Sequence, residues 1–506
     1  MTARVGTGVT RREAIARALA AAATLYAAGC GSGSAAGGVD SGSTLVSTWA
    51  DRGGEGVLAR SGGEALIHRA ELAPAAATGR TIATIAHLTD AHVLDASSPA
   101  RVTFLDRLGP PFQSTFRPQE TLSAQVLAGA VHALGALQAD LVVQGGDLID
   151  NAQANELAQA IAVLEGGQVH PGSGRRGYFG VQVAENPDPF YYRPDLDAPR
   201  YPGLLGQAAK AFTSPGIRRA RYYPVLGDHD ILVAGEIPPS PQTQALATGD
   251  EALWELPRGL QAPPGARLTP GDSPDGPPDP GAVNALLHRA LAGAKVRVPP
   301  DPARRELLVP ETIGRLRRSS GLIAGRTLDY TVEIGGRLMI VVLDLARRQG
   351  GSGGLVRAGQ PAWLAGRLAA AAERRVVVFS HQSLESSEGG GQLLALLDAH
   401  PQTIAAVSGH THRNEIRARR TGSGGYWQIS TGSLIDYPQQ VRALRLCETA
   451  GGGIAIQTWM LDHVFPGPLG RISRQLSYLD AQGGRPRGFV GQPEDRNAVL
   501  YLPGTS

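Results

Sequence analysis

Leu141-Val142-Val143-Gln144-Gly145-Gly146-Asp147-Leu148-Ile149-Asp150-Asn151 is the stretch on which the fold turns. An apolar run this short, closed by two glycines, reads as a buried strand with a polar cluster at its carboxyl end. Upstream, residues 81–88 form a second apolar run, ending on Asp90-Ala91-His92, and residues 122–137 between the two carry helical periodicity. A further helix fits residues 152–164, giving the order β-α-β-α. Downstream, strands are expected at 222–226, 330–334, 338–343, 375–379, 404–407, 426–429, 441–447 and 454–459, with helices near 361–372 and 392–399. Strands alternating with helices predict an α/β sandwich with its sheets in the centre.

Five polar clusters each follow a short apolar strand: Asp90-Ala91-His92, Gly146-Asp147-Leu148-Ile149-Asp150-Asn151, Gly227-Asp228-His229-Asp230, Ser380-His381 and Gly409-His410-Thr411-His412. In an open α/β sheet, ligands bind in the crevice beyond the carboxyl ends of the strands, so all five clusters are expected to meet there. Carboxylate and imidazole together suit Zn, Mn or Fe, and no thiolate is available for a softer ion. Asp-x-His and His-x-His spacing puts alternate side chains on one side of an extended backbone. The glycines before Asp147, Asp228 and His410 are expected to allow the sharp turn that aims each ligand inward.

The clusters, in this order, resemble the signature of the calcineurin-like metallophosphoesterase superfamily. That pattern runs Asp-x-His, Gly-Asp-x-x-Asp, Gly-Asn-His-Asp or Glu, a lone His after a strand, then Gly-His-x-His. The resemblance spans about residues 81–459 and implies a four-layer α/β/β/α sandwich with two mixed central sheets. It implies two divalent ions (Mn, Zn or Fe): Asp90, His92 and His412 would hold one, Asp228, His381 and His410 the other, with Asp147 bridging. It further implies hydrolysis of a phosphomonoester or phosphodiester by a metal-bridging hydroxide. In that chemistry His229 is the general acid, Asp230 orients its ring, and Asn151 donates to the phosphate or else shapes the turn. Ser98-Pro99-Ala100-Arg101-Val102, Arg117-Pro118-Gln119-Glu120 and Trp427-Gln428-Ile429-Ser430 look like stretches of a bacterial exported branch with twin-arginine signals. Asp228 departs from the pattern, which has Asn there. With it, three aspartates and a hydroxide balance two divalent ions, so an anionic substrate would be drawn in less strongly. The alternative is a catalytically weak metal-containing protein that binds a phosphate ligand. Asp150 stands where relatives with a ferric centre carry a tyrosine ligand, and argues against that centre.

The rest of the chain sets the context. Residues 1–29 carry Arg4, Arg11, Arg12 and Arg17 against Glu13 alone, so the 48 basic and 45 acidic residues become 44 of each beyond them. A balanced chain lacks the broad basic surface that binds nucleic acid. Thr10-Arg11-Arg12, the Ala/Leu-rich run from Ala14 and Ala27-Ala28-Gly29 before Cys30 resemble a twin-arginine signal with a lipoprotein box, which predicts export and a lipid anchor at Cys30. With Cys30 so used, Cys447 has no disulfide partner and is expected to be a buried thiol. Residues 31–75 read as a flexible tether, 76–465 as the folded domain and 466–506 as a loosely packed tail. Two long inserts interrupt the domain. Residues 166–220 hold Phe190-Tyr191-Tyr192 and are expected to cap the substrate site, while the Pro-rich residues 235–310 are expected to be partly disordered.

Overall fold

In the strand Leu338–Leu343 every side chain is buried, and neighbours face opposite ways: Leu338, Ile340 and Val342 join one apolar cluster, Met339, Val341 and Leu343 another. A strand apolar on both faces belongs between two other layers. On one side it meets the layer of Ile85 and Leu444 of a second sheet; on the other it meets Leu364, Leu368, Leu393 and Leu397 of the helices Gln360–Ala371 and Gly390–Asp398. The structure is a computed structural model that describes residues 42–101, 103, 116–255, 257, 259–260, 285–286, 288–482 and 487–504. It is a four-layer α/β/β/α sandwich, as the resemblance implies, with the helices Ser123–Leu137 and Ala154–Glu165 forming the other outer layer.

The six-stranded sheet runs Tyr330–Ile334, Leu338–Leu343, Arg375–Ser380, Thr403–Ser408, Gly424–Ser430, Glu415–Thr421, parallel in its middle and antiparallel at both edges. The seven-stranded sheet runs Ile67–Arg69, Ala498–Leu502, Ile454–Asp462, Gln440–Thr449, Thr78–Leu88, Leu141–Gln144, Arg221–Pro224. Its last three strands are parallel to one another. In both sheets the parallel strands therefore end on the same side as their neighbours, and those ends carry the five polar clusters.

Two expectations about the flanks are corrected. From Gly42 on, the expected tether is folded: Ser47–Ala50 pairs with Ala59–Gly62, Thr44 Oγ1 donates to the Met460 carbonyl (2.9 Å), and Ile67–Arg69 joins the large sheet. The expected loose tail supplies the helix Pro468–Gln482 and the fully buried strand Ala498–Leu502, whose apolar side chains gain more from burial between neighbours than from water. The aromatic insert is packed: Tyr191 lies against Phe116 and Val181, and Leu204 and Ala208 meet Leu122 and Leu476. In the second insert, Pro241–Thr248 and the hairpin Glu251–Glu255/Ala294–Arg297 are ordered elements. Its residues 261–284, like the expected export signal, Cys30 and residues 31–41, lie outside the described residues. Cys447 is buried. Among the described residues no helix is long and apolar enough to cross a membrane.

Candidate dinuclear metal centre

Each strand hands over to its polar cluster through an unusual backbone. Asp90, His92, Asp147, His410 and His412 have φ of 53°, 42°, 47°, 66° and 58°, left-handed values that side chains with a Cβ rarely adopt. Such residues cost on the order of 1–3 kcal/mol each and concentrate at functional sites. The sharp turn expected of the neighbouring glycines is thus taken mainly by the ligand residues themselves. The glycines leave room for them. A Cβ on Gly227 would lie 2.1 Å from Asp147 Oδ1, and one on Gly409 would lie 2.2 Å from Thr89 Oγ1 and 2.6 Å from Asp90 Oδ2.

Residues spread over some three hundred positions converge. Asp147, Asp228, His381 and His410 form one group able to share an ion, and Asp90, His92 and His412 form another. In the first group, His381 Nε2 stands 3.1 Å from Asp147 Oδ2 and 3.3 Å from Asp228 Oδ1, and His410 Nδ1 is 3.3 Å from the same Asp228 oxygen. In the second, His412 Nε2 is 3.3 Å from Asp90 Oδ1 and 3.2 Å from His92 Nε2. Asp147 Oδ2 reaches toward both groups, being also 3.7 Å from His92 Nε2. His92, Asp147 and His229 make a third, overlapping convergence.

Hydrogen bonding fixes the imidazole tautomers. A carboxylate or carbonyl oxygen only accepts, so Nδ1 must donate where His92 meets Asp150 (2.9 Å), His412 meets Asp436 (2.5 Å) and His381 meets the Gly145 carbonyl (2.8 Å). In the neutral rings, the three Nε2 lone pairs then point at three buried carboxylates and, for His92 and His412, at each other. Asp228 Oδ2 and His381 Nε2 are buried without a hydrogen-bond partner. Facing lone pairs, like charges and orphaned atoms all fit a site built to hold cations.

The electrostatics agree. Burial alone would push the His412 ring down, yet Asp90 and Asp436 raise it to about 9; His381 is held well above its ordinary value against burial by Asp147 and Asp90. Burial would raise the Asp228 carboxyl, but His410 and His381 keep it well below the usual carboxylate range. Protons stand here where cations would. His92 is the exception, lowered to about 4 by burial and by the neighbouring His229.

His229 sits on the rim with 13% of its side chain exposed. Its Nδ1 donates to the Asp150 carbonyl (2.9 Å), leaving Nε2 toward the site, 3.9 Å from Asp228 Oδ2. Burial opposes its charge, but Asp147 and Asp150 raise it to about 10.

One expected role is corrected. Asp230 does not orient His229: its Oδ1 accepts from the Leu148 and Ile149 amides (2.9 and 3.3 Å) and its Oδ2 from Gly227 (2.9 Å), tying the Asp147 loop to the Asp228 loop. The carboxylate beside the His229 ring is that of Asp150, 3.4 Å away. Asn151 is fully buried, donating to Asp150 and Glu156 and accepting from the Ala234 amide, bonds that fit the turn-shaping role of its two alternatives. Sequence reasoning missed Gln382, whose Nε2 donates to Asp228 Oδ1 (2.9 Å), and Asp436. Both lie a few residues past a recognised element, Asp436 after the strand Gly424–Ser430 and Gln382 directly after His381, and that position was the available signal.

No family model matches the chain, and no curated protein matches it. Among solved structures it is similar to a dimetal phosphatase from Danio rerio, at 12% identity and a TM-score of 0.38, covering 76% of this chain and 100% of that one. It is also similar to PhoD, at 10% identity and a TM-score of 0.31, over 84% of this chain and 80% of that one. Sulfate thiohydrolase SoxB from Thermus thermophilus, in complex with glycerol, is similar at 12% identity and a TM-score of 0.28, over 80% of this chain and 61% of that one. At these TM-scores no residue correspondence follows.

Proposed function

We propose that the chain is a metal-dependent phosphoester hydrolase acting on a phosphomonoester or phosphodiester. Asp90, His92 and His412 would hold one divalent ion, Asp228, His381 and His410 a second, with Asp147 between them. The observation that carries this reading is the set of three rings, His92, His381 and His412, each locked at Nδ1 by an oxygen acceptor so that Nε2 is presented to the same buried carboxylates. Two such ions, when bound, neutralise charge on phosphoryl oxygens and make a bound water acidic near neutral pH. The chain supplies the rest. His229, fixed through Nδ1 to the Asp150 carbonyl, carries its second proton on Nε2 and delivers it to the departing oxygen. The Asp150 carboxylate beside the ring, 3.4 Å away, favours its acid form.

Replacing His229 with Ala should leave the metal content intact and lower turnover by about 10²–10⁴ with poor leaving groups, and far less with a nitrophenolate. Equal losses with both would remove His229 from the acid role. A second reading, a weak catalyst that binds a phosphate ligand, draws on Asp228, whose charge offsets that of the ions. Full metal loading without turnover of either a chromogenic monoester or a diester would favour it.

We also infer export through the Arg11-Arg12 signal, with anchoring at Cys30. Replacing both arginines with Lys should hold the protein in the cytoplasm; unchanged secretion would reject that route.

A further inference from the structure

Behind the second group of ligands the buried side chains close into a ring. His92 Nδ1 donates to Asp150 Oδ1 (2.9 Å), and Asp150 Oδ2 accepts from Arg101. Arg101 Nη2 donates to Glu120 Oε2 (2.6 Å), which also accepts the Arg117 amide (3.1 Å). Arg117 Nε donates to Asp436 Oδ1 (2.7 Å), and Asp436 Oδ2 accepts from His412 Nδ1 (2.5 Å). The circuit closes where His92 Nε2 and His412 Nε2 face each other at 3.2 Å. Side chains of Asp150, Arg101, Glu120, Arg117 and Asp436 are each at most 4% exposed. With three carboxylates and two guanidiniums, the ring carries one net negative charge besides that of Asp90. Across the site, the His381 ring leans on a backbone carbonyl instead, and His410 is 19% exposed.

We propose that Arg101, Glu120, Arg117 and Asp436 are positioning residues that set the separation and tautomers of His92 and His412, and so the retention of the ion those rings share with Asp90. Removing one carboxylate frees an imidazole to rotate and lowers its basicity as a ligand. Removing one arginine leaves a buried carboxylate uncompensated, which then draws the ring proton more strongly or swings away. The inference rests on the dinuclear reading but is decided on metal content, whether or not an ester is turned over.

The test compares full-length wild type, Asp436→Asn, Arg117→Gln and Arg117→Lys, each loaded with Mn, dialysed against a graded chelator series and assayed by elemental analysis. Asp436→Asn and Arg117→Gln should lose one of the two ions at a free Mn concentration about 10–100-fold higher than wild type does, and hold the other unchanged. Arg117→Lys should recover part of the difference. Arg304→Gln serves as a control, because it breaks an equally buried ion pair with Asp95 (3.2 Å) outside the ring; it should retain both ions as wild type does. Loss of both ions together, or the same loss from Arg304→Gln, would mean general destabilisation and overturn the proposal. So would wild-type retention in Asp436→Asn and Arg117→Gln.

Discussion

Asp228 shows how one atom's partner decides a substitution. Gln382 donates to Oδ1 (2.9 Å), the oxygen that also faces His381 and His410, while Oδ2 looks toward His229. In Asp228→Asn the Gln382 amide selects the carbonyl oxygen for the cage side, and the new NH₂ takes the outer place. The cage loses one negative charge without losing its ligand atom. Turnover of a monoester at full metal loading should rise, by up to about tenfold, the equivalent of 1.4 kcal/mol. A steady-state comparison with metal content measured on the same sample checks it; an unchanged or lower rate would refute the charge argument. At this scale the sequence was readable where a side chain acts on its own strand end, as with Asp90 or His381. It misled at Asp230, which sits beside His229 in the chain but turns beneath it to collect three amides. Chain adjacency at a strand end says nothing about which of two carboxylates reaches a ring.

The elements that carry ligands end in loops packed against one another without slack. Gly409→Ala would drive a methyl into Thr89 and Asp90, and overpacking of this kind costs about 1–3 kcal/mol. Because the displaced groups are a ligand and its neighbour, the variant should lose metal and activity together, and elemental analysis beside a thermal melt would show it. A variant that melts earlier yet keeps both ions would contradict this. The central strands and four helices were legible because short two-sided apolar runs alternate with helical periodicity. The strand Ala498–Leu502 was equally apolar, but its partners are Ile454–Asp462 and Ile67–Arg69, the latter more than four hundred residues away, and no local pattern reports such pairing. The pairing of Arg117 with Asp436 escaped notice for the same reason, the two standing 319 residues apart.

For the whole molecule, stability should depend on pH through groups remote from the cage. Glu306 joins the second insert to the site loops: it bridges to Gln153, and its Oε2 accepts from Thr243 Oγ1 (2.9 Å). Burial pushes its carboxyl up from 4.5 to about 7. A folded value above the unfolded one favours the protonated fold, so this contribution is complete below about pH 4.5 and is lost as pH rises through about 7. Glu306→Gln should therefore melt like wild type at pH 4 and be more stable at pH 8, by something on the order of 2 kcal/mol. Parallel melting curves across that interval test the sign, and a variant less stable at pH 8 would reverse it. The flanks taken for tether and tail belong to this same scale, since a hairpin and an edge strand acquire meaning only once the large sheet exists to receive them.

The left-handed backbone at Asp90, His92, Asp147, His410 and His412 also constrains the evolutionary drift of this chain. Those turns admit Asn, Asp, His and Gly far more readily than a β-branched residue. A descendant relieved of its chemistry would therefore decay toward asparagine and glycine at these places, and not toward valine or isoleucine. An inactive cousin would wear the outline of its lost ligands long after the ions had gone.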